Sequence, residues 1–367
     1  MNGKRQISFL GKDIGETEEK GFPRINIPKP YGVADNFFLP LLLLPVIWAY
    51  KKNISMNFFI NSTKDYHVND LQSLGWEMTV SNALFRPESP CRSLLTYNLS
   101  YGQLLYRFLC ENLPMEQIHS MMEIGGGYGY LMLDLLKLKP VNHVTMVDIS
   151  PFLLAEQKKV LPDAKAHFIL SDVTDVAEAI LCGHDLVILN ENMGDFPTAV
   201  NVPQTLLTEP TNNISNHDLV KIKTFFVRYS FPLPPEDSFN FNIGAIEVTE
   251  QLCRAGIPFI FISEHSCEPT VPEVYRNTLF LTASKNPEKI SLKGHSEYSI
   301  KFSYLAIVAQ YHGYHVKRGP LADFIPLKQD DFLTQLPKRR TIASNEVLIH
   351  FVEDLYQYEY ILLQKYT

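Results

Sequence analysis

From residue 119 onward, apolar and polar positions fall into blocks that predict a strand, then a helix, then a strand. Residues 119–124 read as a strand and residues 130–138 as the helix that follows a glycine run. Residues 144–147 form a strand ending at Asp148, with a helix over 152–160. Residues 166–170 form a strand ending at Ser171 and Asp172, with a short helix over 176–181. Residues 185–189 form a strand ending at Asn190 and Glu191. Short apolar strands separated by helices imply a parallel sheet covered on both faces, hence an α/β fold.

The rest of the chain is less regular. Residues 1–95 lack the rhythm, and Pro23, Pro28, Pro30, Pro40 and Pro45 mark extended or broken segments. This N-terminal extension is expected to be mostly helical or irregular. Residues 101–113 place apolar side chains at helical spacing. Between 202 and 240 the rhythm stops, and an insertion or lid is expected there. It holds a strand-like stretch over 224–229 and the turn Pro232-Leu233-Pro234-Pro235. The pattern then predicts a helix over 243–255, strands over 258–263 and 278–283, a helix over 298–312 and a strand over 314–317. The tail over 344–363 reads as a closing helix. The expected division is an extension (1–95), a ligand-binding half (96–201), an insertion (202–240), the remainder of the sheet (241–330) and a C-terminal helix (331–367). The count is seven strands, the last two antiparallel.

Composition narrows the class. The 367 residues exceed what one simple core holds, so a large domain with additions is expected. A net charge of −7 argues against broad binding to nucleic acid or anionic membranes. Cys91, Cys110, Cys182, Cys253 and Cys267 form no C-x-x-C pair, which suits a reducing, cytoplasmic setting and shows no zinc spacing. No metal is expected. Residues 1–18 lack the apolar core of a signal peptide. The run FFLPLLLLPVIWAY over 37–50 is short for a membrane span and carries two prolines, so no transmembrane segment is expected. It suits a buried segment, a homodimer interface or, with Lys51 and Lys52 behind it, a membrane-surface anchor.

Candidate chemistry gathers at the strand ends. Glu123 precedes Gly125, Gly126, Gly127, Tyr128 and Gly129, then a helix begins. Glycines allow a tight turn and close ligand approach, and the helix presents free N–H groups. The dinucleotide fingerprint needs a third glycine where this chain has Tyr130 or Met132, depending on the starting glycine. In an open α/β sheet ligands sit beyond the carboxyl ends of the strands. Asp148 lies at a distance that suits a carboxylate on a ribose diol, or it starts a turn. Asp172 caps the next helix or faces the ligand. Glu191 is a site carboxylate or a solvated loop acid, and Asp195 assists it or belongs to a turn. Tyr128 and Tyr130 wall the pocket or pack. His265, His295, His312 and His315 are bases or packed histidines.

The pattern E-x-G-x-G-x-G from Glu123 to Gly129 is similar to motif I of class I S-adenosyl-L-methionine (SAM) methyltransferases. That resemblance implies a Rossmann-like seven-stranded sheet with helices on both faces, an N-terminal helical region and an insertion after the fourth strand. It also implies that Glu123 and the glycines meet the cationic amino-acid end of SAM, that Asp148 with Ile149 takes the ribose, and that Asp172 with Val173 faces the adenine. Asn190 belongs to the same cofactor set, and Glu191 and Asp195 fall on the acceptor side. More narrowly, residues 123–135, 147–157 and Asn190 to Pro197 resemble the MidA-type family of protein arginine methyltransferases linked to mitochondrial complex I assembly. The family's D-Y-G corresponds to Ser263-Glu264-His265, and its D-x-T-x-H corresponds to Glu297 through Lys301, without the histidine. The cofactor half matches and the acceptor half departs. Three functions follow: methyl transfer to a protein side chain, methyl transfer to nitrogen or oxygen of a small molecule, or an assembly factor that keeps the fold without turnover.

Overall fold

Hydrophobic alternation is nearly absent from the central strands because both of their faces are covered. The computed structural model describes residues 57–74, 79–161, 166–211, 214–275, 279–328 and 346–366. The apolar run over 37–50 lies outside them. Strands β2 (Ser120–Ile124), β3 (His143–Asp148), β4 (Ala166–Leu170), β5 (Leu186–Asn190), β8 (Phe259–His265), β11 (Tyr314–Pro320) and β12 (Tyr358–Lys365) form a seven-stranded sheet. Its order is β11-β12-β8-β5-β2-β3-β4. β12 runs antiparallel to both of its neighbours, while β8, β5, β2, β3 and β4 are mutually parallel. The chain enters the sheet at β2, builds outward through β3 and β4, and returns to the other side at β5. The switch point therefore lies between the carboxyl ends of β2 and β5, which is where such sheets bind ligands.

Two cores flank the sheet. In β5, Leu186 and Ile188 face one core while Val187 and Leu189 face the other. The first core is closed by α2 (Tyr101–Asn112), α3 (Tyr130–Leu138) and α9 (Glu346–Gln357). The second is closed by α6 (His217–Tyr229), α7 (Ile243–Arg254) and α8 (Phe302–Tyr311). Helix α2 starts with a capping box, in which Ser100 and Gln103 satisfy each other's backbone N–H. Helix α4 (Pro151–Val160) starts with Ser150 as cap and proline in its first turn. The short helices α1 (Val80–Ala83) and α5 (Glu178–Leu181) complete the described set.

A second sheet sits over the insertion. β6 (Thr198–Pro203) pairs with β7 (Ser238–Phe241) on one side and with β1 (Phe59–Asn61) on the other, both antiparallel. A hairpin of β9 (Lys289–Ser291) and β10 (Ser296–Tyr298) stands nearby. Residues 57–74 thus run as a strap, anchored through β1 to the first half of β6.

Three expectations from the sequence need correction. Residues 224–229 are helical, as the end of α6: Ile222, Phe225, Phe226 and Tyr229 are all buried, at spacing that fits one helix face. The β-branched Val227, which suggested a strand, points outward and is 72% exposed. Residues 279–283 are not a strand. Their backbone is held by side chains of α9 instead: Phe280 N–H donates to Glu353 Oε1 at 3.1 Å and Thr282 N–H to Gln357 Oε1 at 2.9 Å. The seventh strand lies at the C-terminus. The tail is a helix only to Gln357, after which β12 inserts between β8 and β11. Its residues Tyr360 to Leu363 are buried on both faces, and such a run carries no period that separates strand from helix.

Candidate functional site

The glycine turn shapes the site's floor. Gly125, Gly127 and Gly129 take positive φ values of 63°, 52° and 80°. Gly126 is small for a different reason: a Cβ there would lie 2.7 Å from Met146 Cε. The turn is clamped from three sides. Gly125 N–H donates to Val147 O at 2.8 Å, and the Asn192 amide donates to Ile124 O. The Gln157 amide donates both to Gly127 O at 3.0 Å and to Asp148 Oδ2 at 2.8 Å, tying the turn to the end of β3.

A cavity of about 260 Å³ opens above this floor. Glu123, Gly125, Gly126, Gly127, Tyr128, Asp148, Ile149, Asp172, Val173, Asn190, Glu191 and Asp195 all line it. Among the sequence candidates for cofactor or catalysis, Gly129 is set back: it caps α3 and lies against Gln157.

Several blander alternatives hold at the same time. Asp148 Oδ1 does accept from Ser150 N–H at 2.9 Å, as a turn acid would, while the residue still lines the cavity. Asp172 does cap the short turn Val173–Asp175, accepting from Thr174 N–H at 3.1 Å. Its other oxygen takes Lys64 Nζ at 3.0 Å. Although partial burial pushes the Asp172 carboxyl up, the bonds from Lys64 and Thr174 outweigh it and hold it below its usual range. Tyr128 accepts Leu74 N–H on its hydroxyl at 3.0 Å, and Tyr130 stacks on Phe85 at 3.7 Å.

Glu191 adopts φ 55°, a left-handed conformation rare for a residue with a side chain. The turn aims its carboxylate at the amino end of α1. Val80 N–H and Ser81 N–H donate to its two oxygens at 2.9 Å and 3.0 Å. The Asn190 amide adds a third bond at 3.3 Å, and Asn190 is itself fixed by Ser263 Oγ at 2.7 Å. Asp195 lies on the next turn, beside His67 Nε2 at 3.0 Å and His295 Nε2 at 3.5 Å. Burial pushes Asp195 up, but its two histidines outweigh it and hold it well below the usual carboxylate range. Of the four histidines singled out in the sequence, His295 reaches the site region. His265 is packed beside Tyr358, and burial pushes it down to about 4. His312 meets the Tyr229 hydroxyl, and His315 packs on Tyr366. His67 was not foreseen, since it lies in the irregular N-terminal extension.

The lining is predominantly acidic. Among the described residues, seven acidic side chains and one lysine line the cavity. Burial raises Glu123 to about 8, helped by the Asp148 charge. Burial raises Asp148 to about 6 and Glu191 to about 7. Glu123 Oε2 is buried with no hydrogen-bond partner, an acceptor already in place for a cationic donor.

The family model described as methyltransferase small domain matches residues 106–209. No curated protein matches the chain. Similar solved structures include the plantazolicin methyltransferase BpumL in complex with SAH (14% identity, 88% of this chain and 100% of that chain, TM-score 0.37). They also include the glycopeptide N-methyltransferase MtfA complexed with SAM (10% identity, 72% and 93%, TM-score 0.36). A third is a SAM-dependent methyltransferase from Clostridium acetobutylicum (9% identity, 73% and 91%, TM-score 0.37). The sheet order with its single antiparallel strand and the glycine turn after β2 are those of the class I SAM-dependent methyltransferase fold, and the methyltransferase small-domain match falls on the half of the chain that carries the turn. The cofactor of that class fits the residues present: a glycine floor, an orphaned buried carboxylate oxygen and an acidic wall.

Proposed function

We propose that this enzyme transfers the methyl group of SAM to an oxygen or nitrogen nucleophile held at the Glu191 end of the cavity. The observation that carries this reading is the charge of the lining, seven carboxyl groups against one lysine. A dinucleotide would bring its anionic pyrophosphate among carboxylates. SAM brings a sulfonium and an ammonium against one carboxylate, and its net positive charge favours the ionised form of Glu123, which burial and the Asp148 charge otherwise disfavour. When bound, SAM supplies a methyl group on a good leaving group, suited to in-line displacement without metal activation of the donor.

In this reading Glu123 and the turn Gly125 to Gly129 seat the amino-acid end. Asp148 and Ile149 hold the ribose, and Asp172 and Val173 face the adenine. Asn190 orients Glu191, and Glu191 exchanges the acceptor's proton, which a carboxyl near 7 does readily at neutral pH. Asp195 positions the acceptor from the far side of the same loop.

A small acceptor is favoured over a protein side chain. Residues of the strap and of α1, including Thr63, Lys64, Ser81 and Asn82, line the cavity. Glu191 already accepts from Val80 N–H, Ser81 N–H and the Asn190 amide, which leaves room for a single proton, whereas a bidentate grip on a guanidinium would require α1 to withdraw. The protein arginine activity implied by the MidA-type resemblance is the second reading, carried by Asn190-Glu191 at the end of β5.

Calorimetric titration tests the cofactor assignment, with SAM, S-adenosylhomocysteine and NADH as ligands. One site per chain is expected for both sulfur ligands and none for NADH. Asp148→Ala is expected to weaken SAM at least about tenfold, the scale of losing hydrogen bonds to a charged group. Binding of NADH, or unchanged SAM affinity in Asp148→Ala, overturns the assignment. Mass spectrometry of methylated products separates a small acceptor from a protein one.

A further inference from the structure

We propose that His67, Asp195 and His295 form a binding site for a divalent transition-metal ion at the acceptor end of the cavity. Three separate segments deliver them: the turn Tyr66–Asp70 of the strap, the turn Met193–Asp195 after β5, and the loop between β9 and β10. Their donor atoms all lie within 4.8 Å of one another. Both imidazoles aim Nε2 at the same carboxylate oxygen, at 3.0 Å and 3.5 Å. Ligand atoms bound tetrahedrally at about 2.0–2.1 Å from a zinc-like ion stand roughly 3.3 Å apart. The observed separations bracket that value.

The surroundings fix the ligands as metal sites require. Tyr66 stacks on His295 at 4.2 Å and 20°, and the two histidine rings meet edge to face at 5.4 Å. Gly294 makes room for this stack, because a Cβ there would lie 2.7 Å from the Tyr66 ring. Thr63 Oγ1 donates to Asp195 O at 2.9 Å, tying the strap to the aspartate's own turn. The His295 side chain is only 4% exposed and Asp195 is 22% exposed, on the side that lines the cavity. Glu264, buried nearby, accepts Gly194 N–H at 3.0 Å and so fixes the turn that carries Asp195.

Two imidazoles and one carboxylate suit a first-row transition ion, Zn2+ or Fe2+ best and Mn2+ more weakly, over Mg2+ or Ca2+, which favour all-oxygen ligands. Three protein ligands leave open positions, the pattern of a site that receives a further ligand. His67 and Asp195 line the cavity, so those positions face the acceptor compartment. An acceptor hydroxyl or carboxylate oxygen bound there would be oriented, and a hydroxyl would ionise at lower pH. This consequence rests on the methyltransferase reading and narrows the acceptor to an oxygen-bearing small molecule. The metal site itself does not depend on that reading.

The test uses the untagged full chain, stripped with chelator and dialysed against Zn2+, Mn2+ or Mg2+ alone. Metal is then counted by plasma mass spectrometry, and the absorption bands of bound Co2+ report nitrogen and oxygen ligation. One equivalent of Zn2+ or Mn2+ per chain is expected, with Mg2+ lost on dialysis. His295→Ala and His67→Ala should each weaken retention at least about tenfold. S-adenosylhomocysteine titration of His295→Ala, a residue outside the cavity lining, shows whether that variant is folded. Background metal in the wild type, or equal retention in a folded His295→Ala protein, overturns the proposal. Absence of S-adenosylhomocysteine binding in the wild type would count against the cofactor reading and leave the metal count standing.

Discussion

Glu123 is a site residue whose chemistry is strongly displaced by its surroundings. It is buried, close to Asp148, and raised from 4.5 to about 8. The unfolded chain gives up this proton near pH 4.5, whereas the folded chain keeps it until about pH 8. The folded state binds more protons between those values, so its stability falls as pH rises through that window. Asp148 acts in the same direction between 3.8 and about 6. Glu123→Gln removes the larger slope. Urea titrations of the ligand-free protein should show the variant gaining on the wild type by on the order of 2 kcal/mol between pH 5 and pH 8. A constant difference would show that Glu123 is not protonated in the fold. Glu191 is tested by turnover instead. Glu191→Gln should lower kcat by about 100-fold or more, with S-adenosylhomocysteine affinity within about threefold. If kcat survives, Glu191 serves only to hold α1.

At the scale of elements, what the sequence revealed depended on how local the cause was. The switch-point acids were legible because each ends a strand that is followed by a turn, and such ends converge in any parallel sheet. The end of helix α6 was misread because Thr224 and Val227, its β-branched residues, sit on the solvent face, while the buried Ile222, Phe225, Phe226 and Tyr229 that decide the matter are spaced for one helix face. Strand β12 was misread because its pairing partners, β8 and β11, are distant in sequence. The His67, Asp195 and His295 cluster joins positions 128 and 100 residues apart, which no spacing motif connects. The stretch over 279–283 is the subtlest case, a strand-like sequence paired with side chains. Gln357 Oε1 accepts Thr282 N–H at 2.9 Å, while its amide donates to Ser266 O at 2.7 Å and Thr282 O at 3.0 Å. Gln357→Ala leaves the buried Ser266 carbonyl and the Thr282 backbone without their partner, so thermal and urea unfolding should report a loss of about 2 kcal/mol. A loss below about 0.5 kcal/mol would mean that water replaces the glutamine there.

Charge is the property of the whole molecule that bears on its cofactor. The chain carries −7, and the cavity repeats that sign locally with seven acids and one lysine. A cationic ligand is therefore attracted both by the distant surface and by the lining, and the two contributions respond differently to salt. The Debye length shrinks from about 10 Å at 0.1 M to about 3 Å at 1 M, so the surface contribution is screened first. SAM carries one positive charge more than S-adenosylhomocysteine, and the two otherwise share their groups. The ratio of their affinities isolates the field at the sulfur from contacts to ribose and adenine. Raising salt from 50 mM to 500 mM should weaken SAM about two- to fivefold more than S-adenosylhomocysteine. Parallel weakening of both would place the sulfur away from the acidic wall, with Lys64 and Asp172 rather than Glu123 governing the charge of the occupied cavity.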